Sequence, residues 1–323
     1  MKNIFIKKLI FILIIFPCFI FTGTNDVNAA PKYSSFSLDA RSGEIVHNNK
    51  GFQKRYPASL TKVMTLYLIF EDINNNKIKK SDLITFSRNA SSKPASKLGL
   101  STGETISFSN AIKALSIKSA NDFATAVAEH ISGSEKQFAL KMTEKARELG
   151  MYSTTFKNAS GLHDNYQTTT AYDMAILGLR MIKDYPEESK VFSIKEFSYE
   201  GKKYSSHNRL LYTYNGAKGI KTGFTSMSGF NLLTYVTRSN KQLISVVMGG
   251  STSNSRNSNM AKVLDLSLKK TGGNIPYPIM NPYSVSDLKN QKIDYSLNHK
   301  QSISSSKYDI LSNRVNKFLA ILP

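Results

Sequence analysis

The sequence predicts an α+β fold: an antiparallel sheet flanked by helices, with an all-helical lobe inserted between its strands. Three observations carry this expectation. Runs with strand character lie at both ends of the patterned stretch, at Phe36–Ala40 and Gly43–Val46 and again from Lys195 to Met248. Between them, from about residue 57 to 185, the apolar residues recur at helical spacing. The 323 residues suffice for one large domain or two ordinary ones, so strands from the two ends can meet in one sheet.

Phe36-Ser37-Leu38-Asp39-Ala40 and Gly43-Glu44-Ile45-Val46 read as a first hairpin turning at Arg41-Ser42. Val63 to Phe70 is apolar on nearly every face, which marks a helix buried in a core rather than laid on a surface. Ser59 stands at its N-terminal end. Further helices are expected over Ser109–Ser116, Asp122–His130, Glu135–Leu149 closed by Gly150, and Ala171–Lys183 after a threonine cap. Phe230 to Val236, a Ser239-Asn240 turn and Gln242 to Met248 then read as consecutive antiparallel strands. A last helix runs from Met260 to Lys269, with cations in its final turn and Gly272 after it. Residues 273–323 lose this pattern, and no internal repeat stands out.

Residues 1–29 read as a signal peptide: Lys2, Lys7 and Lys8, an apolar stretch from Leu9 to Thr22, then Val27-Asn28-Ala29 before the cut. That stretch is shorter than the roughly 20 residues a spanning helix needs, and Pro17 interrupts it. Cys18 is the only cysteine and leaves with the signal, so no disulfide or metal thiolate is expected in the mature chain. His163 and His207 stand too far apart from other donors for a metal site, and no cofactor is called for. The net charge of +20 favours anionic lipid headgroups or cell-wall polymers, while export argues against nucleic acid. A composition rich in Lys, Asn and Ile gives the same charge without any specific partner.

Three short motifs carry the chemistry: Ser59-Leu60-Thr61-Lys62, Ser119-Ala120-Asn121 and Lys221-Thr222-Gly223. Singly they are weak, since Ser-x-x-Lys recurs at Ser267, Ser286 and Ser304, and Lys-Thr-Gly at Lys270. Context separates them. Ser59 opens the buried helix, where free N–H groups and the positive end of the dipole gather, and Lys62 at i+3 projects to the same side. Lys221-Thr222-Gly223 leads into a strand pair, where a missing side chain lets a substrate backbone approach. Lys270-Thr271-Gly272 reads as a helix C-cap and is set aside. Ser119-Ala120-Asn121 lies in a tight loop between helices, where it either caps the second helix or points into a cleft.

With these motifs in this order, the chain resembles the serine-type D-alanyl-D-alanine carboxypeptidases, the low-molecular-mass penicillin-binding proteins. The likeness covers roughly residues 31 to 272 and includes Ala95–Leu100, Asn158–Leu162, Thr170–Met174, His207–Leu211 and Ser228–Leu232. It implies the penicillin-binding protein and β-lactamase-like transpeptidase fold, with the site where the lobe meets the sheet. It implies Ser59 as nucleophile, Lys62 as general base, and Ser119 and Lys221 as a proton relay. Substrate would be held by Asn121, Thr222 and Gly223, by the Phe224 N–H beside that of Ser59, and by Arg256. Peptidoglycan stem peptides are the implied substrate and β-lactams the implied acylating inhibitors, in the periplasm or on the outer face of a bacterial cytoplasmic membrane.

Rival readings remain in view. A class A-type β-lactamase needs a carboxylate to activate its deacylating water, yet no glutamate lies between Glu148 and Glu187. A D,D-endopeptidase differs in cleft width, which the sequence leaves open. An inert envelope-binding protein is disfavoured because every catalytic position is occupied. Relatives often carry a C-terminal β-rich domain, for which residues 273–323 are short. Val315, Phe318, Leu319 and Leu322 at helical spacing, with Arg314 and Lys317, suggest instead an interfacial helix over residues 308–323.

Overall fold

The computed structural model describes residues 32–271. The signal peptide and the tail helix expected from the sequence lie outside the described residues.

Strands β1 (Ser34–Asp39) and β2 (Ile45–Asn49) form the first hairpin, and β7 (Ala217–Thr225), β8 (Gly229–Arg238) and β9 (Lys241–Gly250) complete a five-stranded sheet in the order β2-β1-β9-β8-β7. Every neighbouring pair in it is antiparallel, and Phe36 of β1 sits opposite Val246 of β9. The two ends of the patterned stretch therefore meet in one sheet, as the strand signals predict. Strand alternation sorts the core. Leu232, Val236, Leu243 and Val247 pack with Met260, Val263 and Leu264 of α8 (Ser253–Lys270), while Leu233, Ile244, Val246 and Met248 belong to the larger core on the other face. There α6 (Ala171–Asp184) lies on the sheet, and Gly178 brings it close: a Cβ at that position would come within 2.9 Å of Leu233 Cδ1.

The segment between β2 and β7 is mainly helical. A 3₁₀ turn at Ala58–Leu60 runs into α1 (Thr61–Asn74), whose residues from Thr61 to Phe70 are all buried. Around it stand α3 (Phe108–Lys113), α4 (Asn121–Ser132) and α5 (Glu135–Glu148). Thr170 caps α6 by accepting from the Asp173 N–H at 3.0 Å, the cap expected from the sequence.

Four stretches of the chain differ from the sequence reading. The lobe contains a small sheet, β3 (Leu83–Thr85) with β4 (Thr105–Ser107), and a short α2 (Arg88–Ser91), elements too brief to leave a periodic signal. The Ser109–Ser116 helix starts at Phe108 and widens into a π-turn over Ala114–Lys118. The strands after Lys195 begin with a separate hairpin, β5 (Glu196–Tyr199) with β6 (Lys202–Ser205), followed by a single helical turn, α7 (Leu210–Thr213). Helix α8 starts at Ser253, inside the Ser- and Asn-rich stretch that the sequence leaves unassigned. The Thr252 hydroxyl caps it at the Ser255 N–H, and packing on the sheet overrides the weak propensity of those residues.

Candidate active site

The turn before α1 is held in an unusual shape. Ala58 has φ +48°, the left-handed region that side chains disfavour. Gly161 lies against its carbonyl so closely that a Cβ there would overlap the Ala58 oxygen. From the other side the Asn231 carboxamide donates to the carbonyls of Tyr56 at 3.0 Å and Pro57 at 3.1 Å. Ser59 leaves this turn beside strand β7: a Cβ added at Gly223 would fall 3.0 Å from the Ser59 nitrogen and 3.2 Å from that of Leu60. The helix start and the Lys-Thr-Gly strand are thus packed backbone to backbone, with glycine as the only residue that fits without displacement.

One turn on, Lys62 is wholly buried. Its Nζ lies 3.2 Å from Ser59 Oγ, 2.7 Å from Asn121 Oδ1 and 2.6 Å from the Ser160 carbonyl oxygen. Desolvation holds the Lys62 amine well below the ordinary lysine value, and the charge of Lys221 lowers it further, against a smaller opposing pull from Asp122 and Glu135. A neutral amine has two hydrogens and one lone pair. In that form the Asn121 and Ser160 oxygens would take the two hydrogens, and the Ser59 hydroxyl, 3.2 Å from Nζ, could donate to the lone pair.

Asn121 also donates to the Pro94 carbonyl at 2.9 Å, so its amide is oriented by the loop before α4 as well as by Lys62. This settles the capping question. The cap residue of α4 is Ala120, without a side-chain bond, and Asn121, the first helical residue, turns toward Lys62. Ser119, also buried, is in the left-handed conformation at φ +65°, the C-cap of the π-turn and two residues before Asn121. Asp122 follows, buried, and accepts from the Gly99 N–H at 2.9 Å, tying the Ala95–Leu100 loop to this helix start.

On β7, Lys221 is buried and its Nζ donates to the Thr222 carbonyl at 3.0 Å. Burial, then the nearby Arg256 charge, pushes the amine down to about 7. Thr222 pairs with Leu232 and so shares the α8 side of the sheet. Arg256 reaches that region from α8; it is buried, and its guanidinium donates to Ser253 Oγ and Asn257 Oδ1. Burial lowers it to about 10. Phe224 is 54% exposed and stacks on Phe230 at 4.2 Å, at the rim of the cleft.

The sequence motifs therefore come together: hydrogen bonds join Ser59, Lys62 and Asn121, packing joins Ser59 to Gly223, and electrostatics joins Lys62 to Lys221 and Lys221 to Arg256. Sequence reasoning missed Asn231, the Ser160 carbonyl and Asp122, although Asn231 and Ser160 lie in stretches that carry the family likeness. His207 lies near the cations of the site. Its imidazole is lowered by desolvation and then by Lys221, Lys118 and Arg256, which puts it beside the site's cations. His163 does serve a hydrogen bond, to Asn165 Oδ1 at 3.0 Å. Among the described residues, no cluster of His, Cys, Asp and Glu could hold a metal.

Comparison with known proteins fits this geometry. The pattern of the peptidase S11 family, D-alanyl-D-alanine carboxypeptidase, matches residues 25–252. The chain is 35% identical over 241 residues to the D-alanyl-D-alanine carboxypeptidase DacF of Bacillus subtilis, covering 73% of this chain and 62% of that protein. It thus spans less than two thirds of that relative's length. Among solved structures, penicillin binding protein 5 from Haemophilus influenzae superposes with a TM-score of 0.69 at 36% identity, over 72% of this chain and 69% of that one. Penicillin-Binding Protein D2 from Listeria monocytogenes, solved in an ampicillin-bound form, gives 0.67 at 28% identity, over 73% of this chain and 96% of that one. With motif order, site geometry and the extent of these matches in agreement, the chain belongs to the D-alanyl-D-alanine carboxypeptidase family, S11.

Proposed function

We propose that this protein is a serine D,D-carboxypeptidase that removes the terminal D-alanine from peptidoglycan stem pentapeptides through an acyl-enzyme on Ser59. The observation that carries this reading is the buried Lys62 amine, whose Nζ lies 3.2 Å from Ser59 Oγ, 2.7 Å from Asn121 Oδ1 and 2.6 Å from the Ser160 carbonyl oxygen.

Ser59 Oγ attacks the carbonyl of the D-alanyl-D-alanine bond while its proton passes to Lys62 Nζ. The oxyanion that forms rests on the N–H groups of Ser59 and Phe224, across the gap that Gly223 keeps open; one such donor contributes about 3 kcal/mol. Collapse breaks the C–N bond, and the proton that Lys62 took passes through Ser119 and Lys221 to the departing D-alanine amine, which leaves Lys62 neutral. Water then attacks the ester with Lys62 again as base, which frees the shortened peptide and regenerates Ser59. Asn121 binds the amide side of the substrate, and Thr222 with Arg256 holds the terminal carboxylate. Arg256 supports this from beneath rather than at the surface, since it is buried and bound to Ser253 and Asn257. A β-lactam would acylate Ser59 in the same way, as the ampicillin-bound Listeria relative suggests.

Export by residues 1–29, action in the periplasm or on the outer face of the cytoplasmic membrane, and peripheral attachment through residues 308–323 complete the proposal. No described helix is long and apolar enough to cross a membrane. Intact-mass measurement with penicillin and then with a pentapeptide tests the reaction. An adduct on Ser59 followed by release of alanine supports it, and an unmodified protein that leaves the peptide whole would refute it.

A further inference from the structure

The Asn231 side chain is buried and makes three hydrogen bonds, none of them to Ser59, Lys62, Ser119 or Lys221. Nδ2 donates to the Tyr56 and Pro57 carbonyls, and Oδ1 accepts from the Gly249 N–H at 3.0 Å. The β8–β9 pairing slips at this point: Phe230 faces Gly250, while Leu232 faces Val247. Two residues of β9 thus oppose Asn231 alone, a bulge, and Gly249 takes φ +78° within it. On its other edge Asn231 pairs with Gly223 of β7.

These contacts form one mechanical chain. The Tyr56 and Pro57 carbonyls lie immediately before Ala58, whose left-handed backbone aims the Ser59 N–H, and Gly223 lies immediately before the Phe224 N–H. One carboxamide grips the first segment through its side chain and the second through its strand. Ordinary satisfaction of a buried bulge would need a partner for the Gly249 N–H only. The two donated bonds go further, because they fall on successive carbonyls of a strained turn from a strand some 175 positions away in sequence.

We infer that Asn231 is a positioning residue that sets the separation of the Ser59 and Phe224 amides, the pair read above as the oxyanion cradle. This rests on the proposed acyl transfer at Ser59. A misplacement of about 1 Å at such a site lowers rates by about 100-fold.

The test compares Asn231→Ala and Asn231→Asp with Leu233→Ala, using a fluorescent penicillin for acylation, a D-alanyl-D-alanine peptide for turnover, and melting temperature to normalise for folded protein. The Asp variant keeps an oxygen for Gly249 and forfeits the donated bonds, so it serves even where the Ala variant folds poorly. Leu233→Ala weakens the same strand through the opposite contact, with α6. Both Asn231 variants are expected to lose about 30-fold or more in acylation and kcat, with KM within about twofold and the acidic limb of the pH profile in place, because the partners of Lys62 lie elsewhere. Leu233→Ala should lower the melting temperature and leave acylation per folded molecule nearly unchanged. Asn231 variants that acylate like Leu233→Ala, or whose loss is entirely in KM, would overturn the inference. Wild-type protein that penicillin does not modify would instead overturn the parent reading, and this one with it.

Discussion

Gly223 faces Ser59 so closely that a Cβ at position 223 would stand 3.0 Å from the Ser59 nitrogen. The strand and the Ser59 turn are therefore packed backbone to backbone, with no room for a side chain between them. Gly223→Ala is expected to reduce penicillin acylation per folded molecule by about 100-fold, the order of one lost oxyanion donor, and to lower the melting temperature because the added Cβ displaces the Ser59 turn. Stopped-flow acylation checks it; wild-type rates in the variant would show that the gap has no catalytic part.

Lys62→Met removes the amine and leaves the Asn121 and Ser160 oxygens without their donor. Unmet buried acceptors cost about 1–3 kcal/mol, which the loss of a desolvated amine partly offsets. Acylation should fall by about 100-fold or more, since general base catalysis contributes on that order. Intact mass after timed exposure to penicillin measures the rate, and calorimetry confirms that the variant is folded.

The pH dependence follows from Lys221. Its charge disfavours the protonated form of Lys62, so it lowers the pKa of that amine. In Lys221→Met this contribution is gone, and the Lys62 pKa rises while staying below the ordinary value, because desolvation, its larger cause, is unchanged. The acidic limb of the acylation profile should then move to higher pH, with activity at neutral pH partly recovered in alkaline buffer. A limb that stays in place while the plateau drops would mean that Lys221 acts only on the leaving group or carboxylate.

Asn121→Asp is the converse. A carboxylate 2.7 Å from Lys62 Nζ would favour the ammonium, raise its pKa and occupy the base as an ion pair. It would also lose the bond to the Pro94 carbonyl. Acylation at neutral pH should fall by about tenfold or more while the limb shifts alkaline. An unshifted limb would detach Asn121 from the state of the lysine.

Deleting residues 308–323 should move the protein from the membrane fraction to the soluble fraction of fractionated cells, with acylation intact. Unchanged fractionation would remove the tail from the account.

Much of this arrangement was legible in the residues themselves. The apolar run after Ser59 marks a buried helix because no surface helix carries such a sequence, and Lys62 at i+3 projects on the same side as the Ser59 hydroxyl. The strand runs at both ends imply one sheet because isolated hairpins cannot bury their faces. The Ser119-Ala120-Asn121 loop was ambiguous, since capping and cleft-lining use the same residue types, and only the bond from Lys62 to Asn121 separates them. Helix α8 began earlier than its residues suggest because contacts with β8 and β9, not propensity, decide its first turn.

The sequence by itself determined the α+β class, the order of the three motifs and the choice of Ser59 and Lys62 as candidates for nucleophile and base, because these rest on local pattern and side-chain chemistry. Tertiary structure alone decided that the lysine is held toward its neutral form, that a backbone carbonyl 98 positions away receives one of its hydrogens, and that Asn231 spans two strands to hold the turn. Desolvation and backbone acceptors carry no residue-type signature. They come into being only when distant segments exclude water together.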